Sequence, residues 1–306
     1  MVKKISIIGS GSVGSNLAFH IISHLPLVKD LVLIDTAGDL ARGVALDLED
    51  TRGFLGFNTK ITGSKNYSHI KDSDIVVITA GAARKQGMTR LDLFKINCKI
   101  VKQVSANIKK LAPTAIVVVV TNPMDLINYM VHKFTQFDRR RILGMGSVLD
   151  SSRLVNIIHQ KTKVCPDSIE GYTFGLHSKD MIVSSDKIKI KGEPITKFCS
   201  LADLAKIQQK VKMRGAEIVG FLKKGSAHFA PSLACFNLVQ AVCHDRGEIF
   251  PVSAVLKGEF GFKGFSAGVP CVIGREGIRE IVEFELDEAQ KQSFLEIKKM
   301  FQDTLR

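Results

Sequence analysis

Through the first half of the chain, short apolar runs alternate with stretches whose apolar residues recur three and four apart. KISIIG (4–9), LVLID (31–35), DSDIVVITAG (72–81) and TAIVVVVT (114–121) read as strands. The last holds five consecutive apolar residues, as a central parallel strand covered on both faces requires. Between them, a stretch through Asn16, Phe19, His20 and Ile22, and then AGDLARGVALDLED (37–50), have helical spacing. Ile96, Ile100, Val104, Ile108 and Leu111 predict a long helix that stops at Ala112-Pro113. Strand, helix and strand at this spacing predict a doubly wound parallel sheet with right-handed crossovers over residues 1–145.

The texture changes near residue 145. Short alternating stretches, TFGL (173–176), MIVSS (181–185) and KIKIKG (187–192), precede helical patterns over 200–223 and 227–245. Strand-like PVSAVLKGEFG (251–261) and CVIGREGIREIVEFEL (271–286) follow. A closing helix begins near Asp287, with Gln290 at capping-box spacing and Phe294, Ile297, Phe301 and Leu305 on one stripe. Residues 146–306 are therefore expected to form a mixed α+β second domain. No Pro- or Ser-rich linker separates the halves, so they are expected to pack tightly.

Composition narrows the partners. At 306 residues, 45% hydrophobic and 24% charged, the chain carries a real core. A net charge of +13 raises nucleic acid, a membrane surface or small anions as partners. The basic residues are dispersed, KIKIKGEPITK and FLKKG lack interleaved aromatics, and there is no Trp to stack on bases, so nucleic acid is not expected. No segment reaches the ~20 apolar residues of a membrane span, and MVKKISIIGSGSVG reads as a strand rather than a signal peptide. The six cysteines (98, 165, 199, 235, 243, 271) form no CxxC and join no His pair at zinc spacing. Buried thiols, no metal and a reducing, cytoplasmic setting are expected.

The chemistry starts at GSGSVG (9–14), a GxGxxG between a strand and a helix. Gly9 permits the tight turn, Gly11 lets backbone approach a pyrophosphate, and Gly14 lets helix and strand pack closely. The amides at Ser12, Val13 and Gly14 open the helix toward the phosphates. Asp35 ends the next strand, 21 residues after Gly14, where a carboxylate can accept hydrogen bonds from the adenosine ribose. Residues 36–41 hold no Arg or Lys for a 2′-phosphate, which favours NAD over NADP. The competing reading is a glycine turn without ligand.

Three more segments, TNPMD (121–125), LDSSR (149–153) and GLH (175–177), join the basic loop AGAARKQGMTR (80–90). Together they resemble the lactate/malate dehydrogenase family, in family order and spacing, from residue 4 to the C-terminus. The resemblance implies a Rossmann domain with a catalytic α+β domain, NAD as cofactor, and a homodimer or homotetramer. It implies that His177 is the catalytic acid/base, that Asp150 orients its imidazole, and that Arg153 grips the C1 carboxylate of a 2-hydroxy acid. Arg90 would polarise the reacting carbonyl from a closing loop, with Gly81 and Gly87 as hinges. Asn122 would bond the reacting oxygen, and Asn97 and the backbone at Val120 would line the cofactor with Asn122.

Six residues before Arg90 stands Arg84, where lactate-specific members carry Gln. A cation in a closing, desolvated pocket needs an anion, so a dicarboxylate, malate or oxaloacetate, is the expected substrate. Arg84 as an ordinary cation facing solvent is the competing reading. GSAHFAPS (225–232) points the same way, with Ser226 and Ala227 expected at the pocket wall. The chain departs from the family at Ser178-Lys179-Asp180, where Gly and Asp usually follow the histidine, which bears on pH optimum and turnover. A lactate or broad 2-hydroxy acid dehydrogenase is the nearest alternative, and a silent NAD-binding protein the alternative of another class. An NAD-requiring glycosidase is opposed by the intact Asp150, Arg153 and His177.

Overall fold

Strands rich in Ile and Val become the buried centre of a sheet because helices cover both faces. The computed structural model describes residues 1–83, 87–223 and 225–305. Its first half runs β1 (Lys4–Ile8), α1 (Ser12–His24), β2 (Asp30–Ile34), α2 (Gly38–Asp50), short α3 (Arg52–Leu55), β3 (Lys60–Ser64), β4 (Ile75–Ile78), α4 (Arg90–Leu111), β5 (Ile116–Val119), α5 (Met124–Thr135) and β6 (Ile142–Gly144). These strands pair in parallel in the order β3-β2-β1-β4-β5-β6. The order reverses between β1 and β4, which opens a crevice beyond their carboxyl ends, the usual ligand position in such sheets.

The second half adds α6 (Gly146–Thr162), two-residue strands β7 (Ile169–Glu170), β8 (Thr173–Phe174), β9 (Ile182–Val183), β10 (Lys189–Ile190) and β11 (Glu193–Pro194), then α7 (Leu201–Leu222), α8 (Phe229–His244), β12 (Glu248–Lys257), β13 (Lys263–Gly274), β14 (Gly277–Ile281) and α9 (Glu288–Leu305). β12, β13 and β14 form an antiparallel meander, and β12 joins β6 where Ser253 faces Gly144. The sheet is therefore one nine-stranded layer running through both halves. That seam is what brings side chains of the second half to the carboxyl ends of β5 and β6.

Two helices show how far periodicity carries. α9 opens with the expected reciprocal cap: Gln290 N donates to Asp287 Oδ1 (2.8 Å) and Asp287 N to Gln290 Oε1 (3.2 Å). Phe294, Ile297 and Phe301 are buried, whereas Leu305 ends the stripe 37% exposed. α4 is longer than its pattern and turned relative to it. Its buried side holds Leu93, Phe94, Asn97, Val101, Val104, Ser105 and Ile108, and Ile96 is 40% exposed. Two polar residues inside that stripe, Asn97 and Ser105, disguised it.

No described helix is long and apolar enough to cross a membrane. Of the cysteines, Cys199, Cys235 and Cys271 are buried and Cys165 is exposed. Burial pushes the Cys243 thiol up to about 12.

Candidate active site

The turn from β1 into α1 forms a cradle whose three glycines differ in kind. Gly9 has φ +112°, and its amide donates to Ile34 O (2.7 Å) across the sheet. A Cβ on Gly14 would sit 2.0 Å from Gly9 O, so that position accepts nothing larger. A Cβ on Gly11 would meet nothing within 4 Å, so that backbone faces open space. α1 has no side-chain cap and no acid in its first turn, leaving the amides at Ser12, Val13 and Gly14 to face whatever enters. Asp35 is fixed at the end of β2 by Ser10 N (2.8 Å to Oδ2) and Ala37 N (3.0 Å to Oδ1). Glycine-lined space, free amides and an anchored carboxylate fit a dinucleotide, with the cradle holding its pyrophosphate and Asp35 its adenosine ribose.

At the carboxyl ends of β5 and β6 the structure brings His177, Asp150 and Arg153 together. His177 Nδ1 lies 2.6 Å from Asp150 Oδ2, and Arg153 Nη1 donates to Asp150 Oδ1 at 3.0 Å. Asp150 is fully buried, on the same face of α6 as Arg153 one turn later. The His177 segment is pinned to β13 by paired backbone bonds between Gly175 and Gly268 (2.8 and 2.6 Å). Gly146 packs against His177: a Cβ there would stand 2.5 Å from His177 Cβ and 2.7 Å from its Cγ.

Asp125, the last residue of TNPMD, is a member of this site that motif reading left without a role. It is fully buried, accepting His177 N on Oδ2 (2.8 Å) and Ser253 Oγ on Oδ1 (2.8 Å). The motif spelled out the residue, but its partners lie 52 and 128 positions away. Burial raises the Asp125 pKa, against the bonds from Ser253 and His177 N and the charges of His177 and Arg90. Burial likewise pulls the His177 imidazole down, but Asp150's charge and hydrogen bond, with Asp125's charge, outweigh it and the opposing Arg153, so its pKa is raised.

The basic loop is anchored at its start by side chains of Asn97 and Thr121. Asn97, 1% exposed, accepts Ala82 N (2.7 Å) and donates to Asn122 O (2.6 Å), so its side chain ties the loop to the end of β5. Thr121 Oγ1 donates to Ala80 O (2.7 Å), and a Cβ on Gly81 would stand 2.6 Å from Thr121 Cγ2. Gly81 is thus a contact glycine, while Gly87 has φ +79° with open space around it. Asn122 is exposed and Val120 half-buried at the mouth of the crevice. Arg90 begins α4 behind a Thr89–Asp92 capping box, and its Nη2 is buried with no hydrogen-bond partner among the described residues. Arg84 lies outside the described residues. Ser226 is exposed and Ala227 half-buried just before α8. After His177, Asp180 N donates to Ser178 Oγ (3.1 Å) and Ser178 N to Leu176 O (2.8 Å), so Ser178 makes its own turn, and Lys179 is exposed.

A dinucleotide cradle across a crevice from a histidine held by a buried carboxylate defines a class, the NAD-dependent oxidoreductases. Comparison with known proteins narrows it. The sequence models for the lactate/malate dehydrogenase NAD-binding domain and α/β C-terminal domain match residues 3–144 and 147–306. Malate dehydrogenase of Pelagibacter ubique is 39% identical over 96% of this chain and 93% of its own. The crystal structure of Cryptosporidium parvum malate dehydrogenase matches with TM-score 0.95 and 33% identity, covering 99% of this chain and 98% of that one. Lactate dehydrogenase of the same organism, solved with lactic acid and NAD, matches with TM-score 0.94 and 29% identity over 99% of this chain and 97% of that one. The chain belongs to the lactate/malate dehydrogenase family, and is an NAD-dependent oxidoreductase.

Proposed function

We propose that the protein is an NAD-dependent malate dehydrogenase, interconverting (S)-malate and oxaloacetate, and that residues 1–145 form the cofactor domain, which also lends Arg84, Arg90 and Asn122 to the substrate, while 146–306 form the catalytic domain that carries Asp150, Arg153 and His177. The observation that carries the reading is the chain of contacts from Arg153 through the buried Asp150 to His177, backed by Asp125. Bound NAD supplies the acceptor for the hydride leaving C2. His177, its Nδ1 engaged by Asp150, takes the C2 hydroxyl proton on Nε2 during oxidation and returns it during reduction. Arg153 meets the C1 carboxylate with the donors Asp150 leaves free. Arg90's buried Nη2, without a partner among the described residues, donates to the oxygen on which negative charge grows. Asn122, just past the end of β5, hydrogen-bonds that same reacting oxygen, and Asn97 holds Asn122 and the loop in register. The relatives named malate dehydrogenase support the dicarboxylate over lactate.

Arg84 reads the second carboxylate in this scheme. Leaving one partner of a desolvated ion pair unmatched costs about 3–5 kcal/mol, so Arg84→Gln should lower kcat/KM for oxaloacetate at least about tenfold and raise it for pyruvate. Unchanged values for both substrates would remove Arg84 from the pocket. The reading as a whole is tested by NADH oxidation with oxaloacetate against pyruvate. Turnover on neither substrate would turn it to a binding protein, and a preference for pyruvate to a lactate enzyme.

The raised His177 pKa makes a second expectation. Reduction needs the protonated ring, so kcat/KM for oxaloacetate falls as pH rises through the raised value. Asp150→Asn removes the largest of the contributions that together outweigh burial, so that falling limb should move to lower pH, as should the rising limb for malate oxidation. Limbs that stay in place would detach Asp150 from the proton chemistry. The same reading takes the protein to be a cytoplasmic homo-oligomer. Phe54, Phe221 and Phe229, 92%, 80% and 71% exposed, are apolar surface that a second copy would cover.

A further inference from the structure

The segment 36–41 lacks a cation, and on that ground the sequence points to NAD. The fold supplies one from elsewhere. β2 and β3 pair in parallel with Ile34 opposite Ser64, and Asp35 N donates to Ser64 O at 3.1 Å. The residue after Ser64 is Lys65, and it turns toward the start of α2. A Cβ on Gly38 would stand 3.2, 3.4 and 3.5 Å from Lys65 Cβ, Cγ and Cδ, so the lysine stem runs beside Gly38 for three carbons. Its turn is ordered: Asn66 N donates to Ser64 Oγ (3.0 Å) and Ser68 N to Asn66 Oδ1 (2.9 Å). Tyr67, half-buried two residues further on, has its hydroxyl pKa raised by burial and then by the Asp35 charge. Lys65 itself is exposed, and no hydrogen bond or ion pair engages its ammonium among the described residues.

We propose that Lys65 is a latent reader of a 2′-phosphate, masked by the Asp35 carboxylate beside it. The proposal rests on the reading that Asp35 meets the adenosine ribose. A 2′-phosphate brings roughly −1.5 to −2 charge against that carboxylate, and Lys65 alone cannot offset both repulsion and the loss of the ribose bonds. With Asp35 replaced by a neutral residue, the Thr36 hydroxyl, now 3.4 Å from Asp35 Oδ1, and the Lys65 ammonium face the phosphate without a competing acid.

The test measures Kd for NADH and NADPH from the fluorescence enhancement of each cofactor, in four proteins: wild type, Asp35→Ser, Lys65→Ala and the double variant. Asp35→Ser should move selectivity toward NADPH by at least about tenfold, and Lys65→Ala in that background should take back about tenfold, the worth of one charge-assisted contact. The NADPH Kd of Asp35→Ser should also weaken more steeply with salt than that of the double variant. A selectivity shift in Asp35→Ser that survives intact in the double variant overturns the role of Lys65 and leaves the ribose placement standing. No shift in Asp35→Ser overturns both. Should the serine variant fold poorly, Asp35→Asn, which keeps an acceptor for Ser10 or Ala37, gives the same ordering.

Discussion

His177→Ala should lower kcat for oxaloacetate reduction by about 10²–10⁴-fold, the usual worth of a positioned proton donor, while NADH Kd stays close to wild type. The two effects separate because the imidazole is held from α6 and β13, whereas the cradle is built on β1, α1 and β2. Truncation to Ala also takes from the buried Asp150 one of its two partners, so a loss of folding stability accompanies it. His177→Asn is the matched control: its side-chain amide can still donate to Asp150, but it cannot carry a proton at neutral pH. Both variants should lose turnover, and only Ala should lose much stability. An asparagine variant within tenfold of wild type would sink the acid/base assignment.

Which parts of this molecule were legible in the sequence follows from the range of the contacts involved. β1, β2, β4 and β5 announce themselves because a parallel strand buried on both faces is apolar at nearly every position. The Gly9–Gly14 cradle and the α9 cap are equally local, closed within a few residues by steric contact or one hydrogen bond. The seam between the halves is not. Nothing in ILG, the whole of β6, signals that Ser253 will lie against Gly144 and continue the sheet. Asp125 shows the same limit from the functional side. Its identity was in the motif, but its work, bonding the His177 backbone and the Ser253 hydroxyl, exists only once that seam has formed. Lys65 escaped for a related reason. The residues immediately following Asp35 in sequence do not include a cation that parallel strand pairing delivers from the connection between β3 and β4. Gly81 shows a second use of glycine that loop reading does not supply, since it also permits close contact with Thr121.

Arg153→Ala should be the second large loss, and it differs from His177→Ala in its pH behaviour. The guanidinium is 12% exposed and spends Nη1 on the buried Asp150, which fixes its plane and leaves the remaining donors for a carboxylate. Truncating one partner of a buried, hydrogen-bonded charge pair costs about 2–5 kcal/mol, which is roughly 30- to 4,000-fold in kcat/KM for oxaloacetate. Much of the loss should fall on KM, because the contact is made to a carboxylate present in substrate and transition state alike. Arg153→Lys keeps the charge and gives up the fork, so it should recover only part of the loss. The arginine's charge also opposes protonation of His177, while Asp150's favours it. Removing Arg153 should therefore shift the falling limb of the reduction profile to higher pH, opposite to the shift expected of Asp150→Asn. An Arg153→Ala enzyme with unchanged oxaloacetate KM would show that the carboxylate is held elsewhere. A limb that moved down instead would show that the Arg153 charge does not act on the imidazole in the way this geometry requires.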